Sequence, residues 1–123
     1  MTMPAPIPTI DVAEADRRLR EDAAGPILLD VRERNEFEEV RAPGAVLVPT
    51  SEFMTRIAEL PTDRPLLVVC AMGGRSAAVT GYLVRAGRTD VANVAGGMDA
   101  WERAGLPVTR GPVTAGEGEI PAG

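Results

Sequence analysis

Short apolar runs recur along this chain: Ile27-Leu28-Leu29, residues 45–48 (Ala-Val-Leu-Val) and Leu66-Leu67-Val68-Val69, with a last short strand at Val91–Val94. A continuous apolar run of that length suits a strand covered on both faces, as in a parallel sheet. The segments between them carry helix signals. Asp11 followed by Glu14 has capping-box-like spacing and opens a helical stretch to about Asp22, which Gly25 and Pro26 end. Residues 33–40 read as a short helix before a Pro43-Gly44 turn. Pro49 stops the second strand, and Thr50 or Ser51 can cap a helix in which Phe53, Ile57 and Leu60 recur at helical spacing up to Pro61. Residues 75–86, with Val79, Leu83 and Val84 as the inner stripe, stop at Gly87, and Gly97–Arg103 is the last helix. Strands alternating with helices predict an α/β fold, an open sheet with helices on both faces and right-handed crossovers. Such sheets bind ligands at the carboxyl ends of their strands.

The 123 residues suffice for one domain with one buried sheet. From Gly105 onward the chain is rich in Gly and Pro without periodicity, so the expected division is a domain over 1–108 and a loose tail over 109–123. A net charge of −5 argues against nucleic acid and anionic membrane surfaces as partners. No apolar run reaches bilayer length, and Pro4, Pro6 and Pro8 fall where a signal peptide would carry its apolar core, so a cytoplasmic location is expected. The chain has no histidine, which removes Ser-His-Asp and Cys-His nucleophile pairs and every His-containing zinc site. A single cysteine excludes an internal disulfide and a CxxC redox pair.

That cysteine, Cys70, ends the most strand-like run in the chain and opens the segment Cys70-Ala71-Met72-Gly73-Gly74-Arg75-Ser76, which leads into a helix. Two glycines let the backbone curl, and a curled loop at a helix N-terminus can turn successive N–H groups toward one point, an anion-binding nest. A sulfur projecting into such a nest is favoured as thiolate, the nucleophilic form, without any histidine. Arg75 either adds its charge to that site or points outward to a carboxylate. A lone cysteine is more often a small buried apolar residue, but that reading leaves unexplained why this one sits between a core strand and a glycine loop.

The loop resembles the active-site loop of rhodanese-like domains, in which six residues run from the catalytic cysteine to an arginine. Other segments agree in the same order: Leu28-Leu29-Asp30-Val31-Arg32-Glu33 with Glu36-Phe37, Pro43-Gly44-Ala45 with Pro49, and Val94-Ala95-Gly96-Gly97 with Ala100-Trp101. The similarity covers about Ile7 to Val108. Val40-Arg41-Ala42 departs from the Gly-His-Ile of many members, a difference expected to tune packing or the surface. The resemblance implies a five-stranded parallel sheet of order 3-2-4-5-1 with the ligand crevice between the strands ending at Asp30 and Val69. Arg32 either reaches the mouth of that crevice or pairs with Glu36 or another carboxylate. Trp101 is expected in the core, Met72 at the pocket rim, and Glu38-Glu39 on a solvated face.

By the same resemblance Cys70, with Arg75, is the catalytic pair, and residues 71–76 (Ala71, Met72, Gly73, Gly74, Arg75, Ser76) bind substrate. The implied activity is thiosulfate sulfurtransferase: Cys70 takes sulfur from thiosulfate or a persulfide and passes it to a thiophilic acceptor, such as cyanide or a thiol. The donor or acceptor can also be a partner protein's persulfide or thiol. No metal or organic cofactor is implied. With Arg75 as the loop's lone cation, thiosulfate is expected to be a slow donor. Two other readings are a persulfide carrier without free turnover and a Cys-dependent phosphatase or arsenate reductase. Relatives of the latter kind have a loop one residue longer, preceded by histidine where this chain has Val69.

Overall fold

The computed structural model describes residues 6–121, so Pro4 lies outside the described residues. Five parallel strands form one sheet in the order β1-β5-β4-β2-β3, which is the expected order read from the other edge. β2 (Ile27–Asp30) and β4 (Leu66–Val69) run side by side at its centre, with Asp30 opposite Val69. β3 (Val46–Leu47) flanks β2, and β5 (Val91–Val94) flanks β4. β1 (Thr9–Ile10) pairs with β5. It is too short to stand out as an apolar run.

Alternation along the central strands splits the core into two halves. Leu28, Leu67, Val69, Ala92 and Val94 face α1 (Val12–Glu21), α2 (Arg34–Glu39) and α5 (Gly97–Arg103), packing with Ala15, Phe37, Met98 and Trp101. Ile27, Leu29, Leu66, Val68 and Val91 face α3 (Phe53–Arg56) and α4 (Gly74–Arg85), packing with Phe53, Val79 and Leu83. Each Val, Leu, Ile, Phe or Met among them, once fully buried, contributes about 1.5–3 kcal/mol. Trp101 is a core residue whose indole N–H donates to Pro107 O at 2.8 Å.

Several helices differ from expectation in detail. Asp11 caps α1 by accepting from Glu14 N–H at 2.8 Å. The stretch after Pro49 is broken, with a 3-10 turn on each side of α3, and Ser51 does not cap it: its hydroxyl donates to Glu33 at 2.8 Å. In α4, Val84 is only half-buried, whereas Ser76 and Thr80 face inward.

Where the sequence expects a loose tail, residues 109–118 make specific contacts with the domain body, and Arg41 supplies most of them. Arg41 and Thr109 exchange backbone hydrogen bonds of 2.9 and 2.8 Å. The Arg41 guanidinium, almost wholly buried, donates to Gly111 O at 2.7 Å and to Glu117 at 2.9 Å, and lies over the Phe37 ring. Farther along, Leu47 N–H donates to Gly118 O at 2.7 Å, so the tail covers the otherwise open edge of β3. The departure at Val40-Arg41-Ala42 therefore supplies a buried anchor. Removing a buried ion-pair partner is costly, and here the cost is moderated because Glu117 keeps some contact with water. Arg41→Ala should lower the unfolding free energy by about 2–3 kcal/mol in urea titration and expose the tail to limited proteolysis. Arg41 holds the Glu117 carboxyl down to about 2. Its contribution is therefore present above the ordinary carboxyl range and fades as pH falls toward that value, so acid should release the tail as well.

Candidate active site

Cys70 follows the last residue of β4, at the carboxyl edge of the sheet and beside the end of β2. The chain then curls through Ala71 and Met72 to Gly73, which has φ +110° and precedes the first turn of α4. That left-handed value needs glycine. Gly74 does not: its φ is ordinary and nothing lies within 4 Å of where a Cβ would be.

The direction of the loop's peptide groups is set from outside by α5. Met98 N–H donates to Cys70 O at 2.8 Å and Asp99 N–H to Ala71 O at 3.0 Å. With those carbonyls held outward, the N–H groups of Met72, Gly73 and Ser76 face the sulfur. Gly97 makes this possible, since a Cβ there would lie 2.3 Å from Cys70 O and 2.6 Å from Ala71 O. The Gly96-Gly97 pair stands out in the sequence only as a family landmark. Its work in pressing a helix end against the reactive loop is visible only in three dimensions.

At the centre of the curl, Cys70 Sγ accepts from Gly73 N–H at 3.1 Å and lies 3.3 Å from Ser76 Oγ. Ser76 is fully buried and its hydroxyl also reaches Gly73 O at 3.2 Å. Burial alone pushes the Cys70 thiol pKa up. The Ser76 hydroxyl and the N–H groups of Ser76, Gly73 and Met72 together outweigh burial and bring it below the ordinary thiol value. On ionisation the Ser76 hydroxyl proton can swing from Gly73 O to the sulfur. Cys70 is only 1 % exposed, so a partner must present a slender end such as a single projecting atom.

Arg75 is not at the sulfur. Its guanidinium makes a bidentate pair with Glu36 of α2, at 2.7 and 2.8 Å, the outward arrangement of the two left open by the sequence. Arg32 is buried against Asp30, with Nη2 2.8 Å from a carboxylate oxygen and 2.6 Å from Val40 O, so it ties β2 to the end of α2. Met72 is exposed at the rim of a cleft that Ala71 also lines, and Glu38 and Glu39 are exposed. Glu36, unassigned by sequence reasoning except as a candidate partner for Arg32, instead connects α2 to the loop. Among the described residues there is no cluster of side chains able to hold a metal ion, and no helix is long and apolar enough to cross a membrane.

The family model for the rhodanese-like domain matches residues 11–104. The chain is 34% identical over 99 residues to a sulfurtransferase of Allochromatium vinosum, covering 80% of this chain and 92% of that protein. It is 38% identical over 88 residues to the thiosulfate sulfurtransferase GlpE of Pseudomonas syringae pv. syringae, covering 72% and 81%. Among solved structures, a rhodanese-related protein of Thermoplasma volcanium superposes with a TM-score of 0.73 at 31% identity, over 83% of this chain and 97% of that one.

Two outcomes follow from the geometry. Ser76→Ala should raise the Cys70 pKa, read as a shift to higher pH in the thiolate absorbance and in the rate of alkylation by iodoacetamide. An unchanged titration would show that the hydroxyl does not matter. Gly97→Ala should destabilise the fold by about 2–4 kcal/mol and raise the same pKa, whereas Gly74→Ala, where space is open, should be neutral within about 1 kcal/mol.

Proposed function

We propose that this chain, which belongs to the rhodanese-like domain family, is a sulfurtransferase that carries sulfane sulfur as a persulfide on Cys70. The observation that carries this reading is the thiol itself, acidified by main-chain N–H groups and a buried hydroxyl at the carboxyl end of the central strand. A nucleophile activated in this way needs no histidine, and the chain has none. The names of the relatives agree with the assignment.

In this reading the Cys70 thiolate attacks the outer sulfur of thiosulfate. The new Cys70–sulfur bond forms as the sulfur–sulfur bond of the donor breaks, and sulfite leaves with the electron pair. The outer sulfur of the resulting persulfide anion takes the place at the centre of the loop, where the N–H groups of Met72, Gly73 and Ser76 stabilise its charge. An acceptor such as cyanide or a thiolate then attacks that outer sulfur and Cys70 departs as thiolate, restoring the enzyme. The two half-reactions share one enzyme form at a time, so ping-pong kinetics are expected. Residues 71–76 form the wall that the donor passes, and Arg75 acts by bracing that wall through Glu36. The proposed compartment is the cytoplasm, and a partner protein's persulfide or thiol is an admissible donor or acceptor.

The test is thiocyanate formation from thiosulfate and cyanide, with intact-mass measurement after exposure to thiosulfate alone. The wild type should gain one sulfur atom and produce thiocyanate, and Cys70→Ala should do neither. Equal activity in the variant would defeat the assignment. A one-sulfur adduct with negligible thiocyanate would point to a carrier that delivers sulfur only to a dedicated partner.

A further inference from the structure

Among the described residues, the Cys70 loop and the cleft beside it offer an incoming anion no unpaired cation. Arg75 is the only cationic side chain between Cys70 and Ser76, and both of its terminal nitrogens are engaged by Glu36. Glu36 is fixed from a second side, accepting Glu33 N–H at 3.0 Å, and it stays ionised far into acid because Arg75 holds its pKa near 2. Beside Ala71 and Met72 lies a cleft of about 270 Å³ that continues this environment. Its charged lining is Glu36, Glu39, Asp99, Glu102 and Arg32. The one guanidinium among them is neutralised by Asp30. Asp99 and Glu102 pair with the exposed Arg103 and Arg110, while Glu39 makes no ion pair among the described residues. A larger recess, about 350 Å³, lies between α2 and the tail and includes none of the loop's residues.

Resting on the sulfurtransferase reading above, we infer that Glu36 determines the charge class of the sulfur substrate. By clasping Arg75 it leaves Glu39, the one carboxylate of the cleft without an ion pair among the described residues, as the unbalanced charge at the rim, so that a persulfide on a positively charged carrier is accepted in preference to an anionic donor. The physical reason is where the donor's charge must sit. The outer sulfur enters the loop and the rest of the donor trails at the rim, where the sulfonate of thiosulfate would face the unpaired Glu39 carboxylate and arginines already neutralised. A carrier bearing an ammonium group meets the opposite field, which raises its local concentration and speeds its encounter. The reaction balances without any further reagent. The Cys70 thiolate attacks the outer sulfur of R–S–SH, a new sulfur–sulfur bond forms, the old one breaks, and R–S⁻ leaves, while the proton stays on the transferred sulfur.

Two persulfides with the same reacting group and opposite carrier charge separate this effect from intrinsic reactivity. kcat/KM is measured for cysteamine persulfide, glutathione persulfide and thiosulfate with wild type, Glu36→Gln, Glu39→Gln and Cys70→Ala. In wild type, cysteamine persulfide should be favoured over glutathione persulfide by about tenfold at low salt, and the ratio should shrink as salt is raised. Glu36→Gln keeps the shape of the side chain and an acceptor for Glu33 N–H while releasing the charge of Arg75. It should improve thiosulfate by about five- to tenfold, mainly through KM, and narrow the persulfide ratio. Glu39→Gln, on the exposed face, should move the same ratio in the same direction by a smaller factor, which guards against misfolding of the first variant. Equal use of both persulfides by wild type, or a ratio unmoved in both variants, overturns the inference while Cys70-dependent transfer still stands. Transfer that persists in Cys70→Ala overturns the sulfurtransferase reading itself.

Discussion

Two hydrogen bonds from the start of α5 to the carbonyls of Cys70 and Ala71 set everything else at this site. In a trans peptide group the C=O and N–H lie in one plane and point in opposite directions, so fixing the carbonyl outward turns the N–H of the same peptide inward. The loop can then present N–H groups to a single point, and Cys70 Sγ occupies that point. Gly97 is what lets the helix approach so closely, because its absent side chain would occupy the space of the Cys70 and Ala71 carbonyls. The sheet supplies the platform: β4 delivers Cys70 at its carboxyl end, between β2 and β5, and α4 starts immediately beyond the loop.

The electrostatics of the site divide into two layers. Close to the sulfur, dipoles act: amides and the Ser76 hydroxyl offset the cost of burying a charge. Farther out, full charges act, and they are arranged to cancel, Arg75 against Glu36 and Arg32 against Asp30. Dipoles fixed by the fold can favour a thiolate and then a persulfide with little rearrangement between the two. An unpaired guanidinium at the rim would instead favour any small anion. In the proposed reading, activation of the thiol and selection of what reaches it are therefore separate.

Much of the frame was legible because it depends on local signals. The apolar runs at residues 27–29 and 66–69 and the short segment 91–94 mark strands buried on both faces, and the last two coincide with β4 and β5. The placement of Cys70 was legible as well: the sequence puts it after a core strand and before a glycine turn, and the structure has it there. What escaped depends on contacts between distant parts of the chain. Arg41 reads only as a change of packing or surface until Thr109, Gly111 and Glu117 close around it. Low-periodicity sequence looks loose because its order comes from a partner rather than from its own pattern. Ser51 looks like a helix cap until Glu33 draws its hydroxyl away. Gly73 and Gly74 look equivalent, yet only Gly73 has the left-handed backbone that requires glycine. The sequence offers no sign of which carboxylate Arg75 will choose, because Glu36 lies 39 positions away.

The most direct test of the main-chain cup is a high-resolution crystal structure of the protein after reaction with thiosulfate. It should show one additional sulfur atom bonded to Cys70 Sγ and ringed by the N–H groups of the loop, with Arg75 still clasped by Glu36. An added sulfur that points away from those N–H groups and is held by a side-chain cation instead would contradict it.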